Sequence, residues 1–160
     1  MNKFSAASFF FSVLLLFLLT TFNFVHAQER FIDNADGTVT DTVLNLMWAK
    51  TDNQGNINWR QAQKWVKYTF PYTLPNSYDN WRLPTTDELK TLYDKNSRYE
   101  SECGQEVKIN SIFELSCGWL WASELKSISA KLFNFHRGYS YTDRISKYKA
   151  YRALPVRNLD

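Results

Sequence analysis

The spacing of apolar positions changes several times along this chain, and each change marks an element. Phe9 to Leu19 is an almost unbroken apolar run. Beyond residue 28 the apolar runs are short and interrupted. Phe31 to Asp33 and Thr38 to Asp41 read as strands on either side of an Asn34-Ala35-Asp36-Gly37 turn. Leu44 to Lys50 is a further strand, with Leu44, Leu46 and Trp48 on one face. Asp52 to Asn56 is a polar loop. Asn58, with Gln61 three residues later, predicts a capped helix. Its buried stripe is Trp59, Ala62, Trp65, Val66 and Thr69. Pro71 and Pro75 end it and open a long loop to Asn80.

The next stretch, Asn80-Trp81-Arg82-Leu83-Pro84-Thr85-Thr86-Asp87-Glu88-Leu89, couples a strand to a helix. Pro84 biases Leu83 to an extended conformation, with Trp81 and Leu83 on one face and Arg82 on the other. Thr85 and Glu88 form a second capping-box pair, and Asp87 and Glu88 suit the positive end of the helix dipole. The helix is expected from about Thr86 to Asp94, with Leu89, Leu92 and Tyr93 inward. Lys95 to Ser116 has weak periodicity and reads as a long loop. Gly118 to Ser123, Lys131 to Arg137 and Tyr148 to Arg157 read as strands, with Pro155 placing the last at an edge or a bulge. Strands, two helices, long loops and strands again make an α+β pattern: two helices packed on a small twisted antiparallel sheet.

Four segments in this order carry a family resemblance. They are Arg30 to Asp41 ("RFIDNADGTVTD") with Leu46-Met47-Trp48, then "DNWRLPTTDEL" from Asp79, then Leu120-Trp121-Ala122-Ser123, then Tyr151 to Arg157. Together they resemble the Lcl C-terminal domain family, found at the C-terminus of collagen-like bacterial adhesins. The resemblance implies a C-type-lectin-like fold over nearly all of the chain after residue 28. Those adhesins bind sulfated glycosaminoglycans, so it also implies an affinity for anionic sugars.

Met1-Asn2-Lys3, the apolar run and Val25-His26-Ala27 fit a signal peptide cleaved after residue 27, leaving Gln28 to Asp160 as one domain. The competing reading is an uncleaved anchor, for which the apolar run is short. Export to the periplasm, the cell surface or the medium would oxidise the two cysteines, Cys103 and Cys117. The alternative for this pair is a thiolate or copper site, as in formylglycine-generating enzymes, which resemble the same broad fold.

Charge is uneven. Residues 118–160 hold eight basic side chains against three acidic ones, while the preceding domain residues are net acidic. Arg137, Arg144, Lys147 and Lys149 alternate with Tyr139, Tyr141 and Tyr148. Arginine and lysine can hold sulfate or carboxylate groups while tyrosine rings pack on sugar faces. An ordinary solvated surface is the plain alternative, and export argues against nucleic acid.

Other chemistry finds little support. His136 is the one histidine beyond residue 27 and reads as a surface or strand residue. No glycine-rich phosphate loop or Gly-x-Ser-x-Gly turn occurs. In an EF-hand alignment of Gly37, Ile32 and Val43 fall at ligand positions, so the acidic turn is read as a turn. Asp87 and Glu88 are read as capping residues, not an acid–base pair. The expectation is therefore a non-catalytic, exported, lectin-like binding domain without metal or cofactor. Its partner would be an anionic glycan or an envelope or surface protein. The alternatives are an oxidase built on the cysteine pair and a structural accessory subunit of an envelope assembly.

Overall fold

The computed structural model describes residues 29–159; the expected leader peptide lies outside them. Among the described residues there are two four-stranded sheets, one small hairpin, two α-helices and a short 3-10 helix. The first sheet contains β1 (Phe31–Asp33), β2 (Thr38–Asp41), β3 (Leu46–Ala49) and β10 (Val156–Asn158), in that order and antiparallel throughout. The first and last strands among the described residues thus belong to one sheet. Trp48 faces Val39 across one ladder and Val156 across the other.

The β1–β2 turn forms as its sequence predicts. Asp33 accepts the Ala35 N–H at 2.9 Å, and Asp36 accepts the Thr38 N–H at 3.0 Å. Gly37 has φ +87°, and a Cβ there would lie 3.3 Å from Leu74. Leu44 departs from expectation. The Asp41 carboxylate accepts the N–H groups of Val43 and Leu44, so the chain turns there and the strand starts only at Leu46. All four residues of β3 are buried, because the sheet is covered on both faces.

Both capping boxes form. Asn58 and Gln61 start α1 (Trp59–Tyr68), and Thr85 and Glu88 start α2 (Thr86–Leu92). In α1, Ala62 and Val66 are buried and Trp59 and Trp65 pack against the core, while Thr69 is exposed. A 3-10 turn, Phe70–Thr73, follows around Pro71 and drives Phe70 into the core, 4.8 Å from Trp81 between ring centroids. The second helix stops at Leu92, two residues before the expected end. Tyr93 becomes extended and pairs with Ile109.

The Trp81-Arg82-Leu83-Pro84 segment joins the two halves of the fold. Arg82 exchanges backbone hydrogen bonds with Val156 of the first sheet at 2.9 and 3.0 Å. Pro84 accepts the Ser123 N–H of the second sheet at 2.8 Å. That second sheet runs β8 (Tyr139–Arg144), β7 (Ser129–Asn134), β6 (Trp119–Lys126) and β9 (Tyr151–Arg152). It is a meander with one parallel edge, because β9 runs alongside β6 in the same direction.

Three expectations need correction here. A single antiparallel sheet becomes two sheets, one of them mixed. The region from Lys95 to Ser116 is more than a loop. It contains the hairpin β4 (Tyr99–Glu100) and β5 (Glu106–Val107), and it buries Val107, Ile109, Phe113 and Leu115. The expected strand from Tyr148 to Arg157 splits into β9 and β10, which belong to different sheets. Pro155 lies buried between them and accepts the Ala49 N–H at 2.9 Å. It is a crossing point, not an edge.

Candidate functional site

The second sheet carries a row of aromatic residues in register. Tyr139 of β8 faces Asn134 of β7, Asn134 faces Trp119 of β6, and Trp119 faces Tyr151 of β9. The Trp119 ring centroid lies 5.8 Å from that of Tyr139, 5.9 Å from Tyr141 and 6.2 Å from Tyr151, all edge-on. Aromatic pairs prefer this edge-to-face arrangement. Tyr139 and Tyr141 remain 44% and 51% exposed, so the cluster presents ring surface outward. The Tyr151 hydroxyl donates to Asp143 at 2.6 Å. Burial and that carboxylate raise the Tyr151 pKa well above the usual tyrosine range.

Beside this row lies a groove of about 520 Å³, lined by Gln105, Glu106, Trp119, His136, Arg137 and Tyr139. Its shape follows from the β7–β8 turn. The Asn134 side chain accepts the N–H groups of His136 and Arg137 at 2.8 and 2.9 Å, which fixes both residues at the turn. Gly138 completes it with φ +73°, and a Cβ there would collide with the Tyr93 ring at 2.6 Å. His136 Nδ1 sits 2.8 Å from the Glu106 carbonyl oxygen. A carbonyl can only accept, so Nδ1 carries the proton. The Glu106 carboxylate lies 3.6 Å from Lys108 Nζ. The opposite wall is stapled by the Cys103–Cys117 disulfide, which immediately precedes Gly104 and Gln105.

The six residues expected to form one basic–aromatic patch are divided by the fold. Arg137, Tyr139 and Tyr141 belong to the groove and the aromatic row. Arg144 lies at the far end of β8, about 17 Å from Tyr139 and about 10 Å from Tyr141 at the usual rise per strand residue. There it lines a separate groove with Arg60, Ile128 and Ser146. Lys147 and Lys149 are exposed on the turn that follows. Two further basic residues of this region serve the interior. Arg152 is 8% exposed and donates to Ser116 Oγ at 2.7 Å and Asn56 Oδ1 at 2.8 Å. Arg157 is 5% exposed and donates to the Asp79 carbonyl at 3.0 Å.

Trp119, Gln105, Glu106 and His136 were not among the expected site residues. The sequence places Gln105 and Glu106 some thirty residues before His136, and only the fold brings them together. The remaining acidic candidates have structural partners. Asp36 accepts hydrogen bonds from Thr38, Asn76 and Tyr78. Burial raises its pKa less than these donors lower it, so it stays below the usual carboxylate range. Glu88 is held by Arg82 and Thr85. Among the described residues, no group of three or more His, Cys, Asp or Glu side chains is arranged to hold a metal, and no helix is long and apolar enough to cross a membrane.

The fold is therefore that of an α+β domain with an aromatic sheet face beside a mixed polar groove. The family model of the Lcl C-terminal domain matches residues 37–157, and the chain belongs to that family. No curated protein matches it.

Proposed function

We propose that this protein is an exported, non-catalytic binding domain of C-type-lectin-like architecture that holds an anionic glycan. The aromatic row and its groove are the binding face. One observation carries the reading: exposed, edge-on tyrosines flank Trp119 while Arg137 stands at the rim of the same groove. Aromatic rings suit the apolar faces of sugar units, and a guanidinium suits sulfate or carboxylate groups. Family membership supports the same ligand class, since related collagen-like adhesins bind sulfated glycosaminoglycans. Arg144, Lys147 and Lys149 add attraction at longer range along the same sheet. Export is supported by the apolar run before residue 20 and by a disulfide in the domain.

The test is heparin binding by the oxidised protein across a salt series. Affinity should fall with salt. It should be lost in Arg137→Glu and in Tyr139→Ala, and only weakened when Arg144, Lys147 and Lys149 are all changed to Glu. No binding at low salt would sink the reading. A second reading, docking to an envelope or surface protein, is favoured by another groove of about 530 Å³. Tyr68 and Tyr72 stand beside it, 63% and 88% exposed. Loss of partner capture on Tyr72→Ala, with heparin binding unchanged, would support that reading.

A further inference from the structure

We propose that His136 reads an anionic group in the groove and makes glycan binding tighter in mildly acid surroundings than at pH 8. This inference rests on the glycan-binding reading above and adds a specificity-determining residue to it.

The geometry separates the two ring nitrogens. Nδ1 is committed to the Glu106 carbonyl at 2.8 Å. Nε2 has no protein partner among the described residues, and it is not a buried unpaired atom, a state found there only for Trp48 Nε1. It is therefore accessible to solvent, on a residue that lines the groove. With Nδ1 holding its proton, neutral imidazole offers a lone pair at Nε2, which a sulfate or carboxylate oxygen cannot use. Protonation turns Nε2 into a charged donor next to the fixed cation of Arg137. The groove is then lined by two cationic donors, His136 and Arg137, both suited to an oxyanion.

The surrounding charges support this assignment. The second sheet contributes Trp119 and Asn134, which do not titrate, and Tyr139. The β7–β8 turn contributes Arg137. From β5 comes Glu106, whose carboxylate is engaged by Lys108 at 3.6 Å. Histidine is the residue type suited to a charge change near neutral pH, and His136 is the only one beyond residue 27.

The experiment measures heparin affinity of the oxidised protein from pH 8 to pH 5.5 at fixed salt, beside His136→Gln. The expected result is a rise of about tenfold on acidification, the scale of one charge-assisted hydrogen bond. His136→Gln should show a flat profile from pH 8 to pH 5.5, whatever its affinity at pH 8. A flat parent profile with binding intact at pH 8 overturns the inference and leaves the glycan reading standing. Affinity that falls on acidification also overturns it, because Nε2 would then be accepting from a sugar hydroxyl. Absence of heparin binding at every pH overturns both readings together.

Discussion

Arg82 and Glu88 form a two-pronged ion pair, with Nη1–Oε2 at 2.8 Å and Nη2–Oε1 at 2.7 Å. Glu88 also caps the second helix through the Thr85 N–H at 2.7 Å, and Arg82 reaches Asn158 of β10 at 3.0 Å. One pair thus ties the helix start to the first sheet. Burial alone would raise the Glu88 pKa; Arg82 and Thr85 more than reverse this, leaving it below the ordinary 4.5. The pair's contribution is therefore fully present above pH 4.5 and lost as pH falls through the lower folded value. Arg82→Ala should cost about 2 kcal/mol in urea unfolding at pH 7, the scale of charged hydrogen bonds in a half-buried site. Glu88→Gln should lose most at neutral pH and approach the parent in acid. Equal losses at pH 7 and pH 3 would contradict this account.

Asp52 predicts the opposite slope. It is 3% exposed and accepts from Gln54 N at 2.7 Å, Ser116 Oγ at 2.8 Å and Ser116 N at 2.8 Å. Burial outweighs these donors and nearby Arg152, so its folded pKa lies above 3.8. The folded chain keeps the proton to higher pH than the unfolded chain, and the group's contribution falls as pH rises across that interval. The stability difference between parent and Asp52→Asn should shrink as pH rises from 3. For Glu88→Gln it should grow. Slopes of the same sign would refute the pair of assignments.

The Cys103–Cys117 disulfide closes a ring with a sequence separation of 14. A ring of this size stabilises by about 3 kcal/mol in the chain-entropy model. Cys103→Ala/Cys117→Ala should lose about that much. It should also bind heparin more weakly, because Gly104 and Gln105 form one wall of the groove. Unchanged affinity in the folded double variant would remove that wall from the binding face.

The elements legible in the sequence are those fixed by local chemistry. Asn58 with Gln61, Thr85 with Glu88, and Gly37 after Asp36 each specify their own backbone, and all three form. The unread parts depend on distant partners. β8 is an edge strand with five exposed residues, so it shows no alternation of burial. Ala153, Leu154 and Pro155 are buried between two sheets, so an even alternation across them describes neither. The candidate site was half legible for the same reason. Tyr139 and Arg137 announce themselves by composition, whereas Trp119 and His136 take their places beside the groove from strand register and from a carbonyl thirty residues upstream.

Two fully buried tryptophans make a last comparison. Trp121 Nε1 donates to the Ile57 carbonyl at 2.9 Å, tying the second sheet to the start of α1. Trp48 is equally buried, between Val39 and Val156, yet its Nε1 has no acceptor among the described residues. Replacing either by Phe removes similar volume, so the cavity costs should be comparable. The hydrogen-bond consequences differ in sign. Trp121→Phe leaves a buried carbonyl unpaired, which costs about 1–3 kcal/mol, whereas Trp48→Phe removes an unpaired buried donor. Trp121→Phe should therefore be the more destabilising by about 2 kcal/mol. Urea unfolding of the two variants at pH 7 decides it. If Trp48→Phe cost as much or more, Trp48 would owe its place to ring packing against Phe113, 6.5 Å away, with no burden from its N–H.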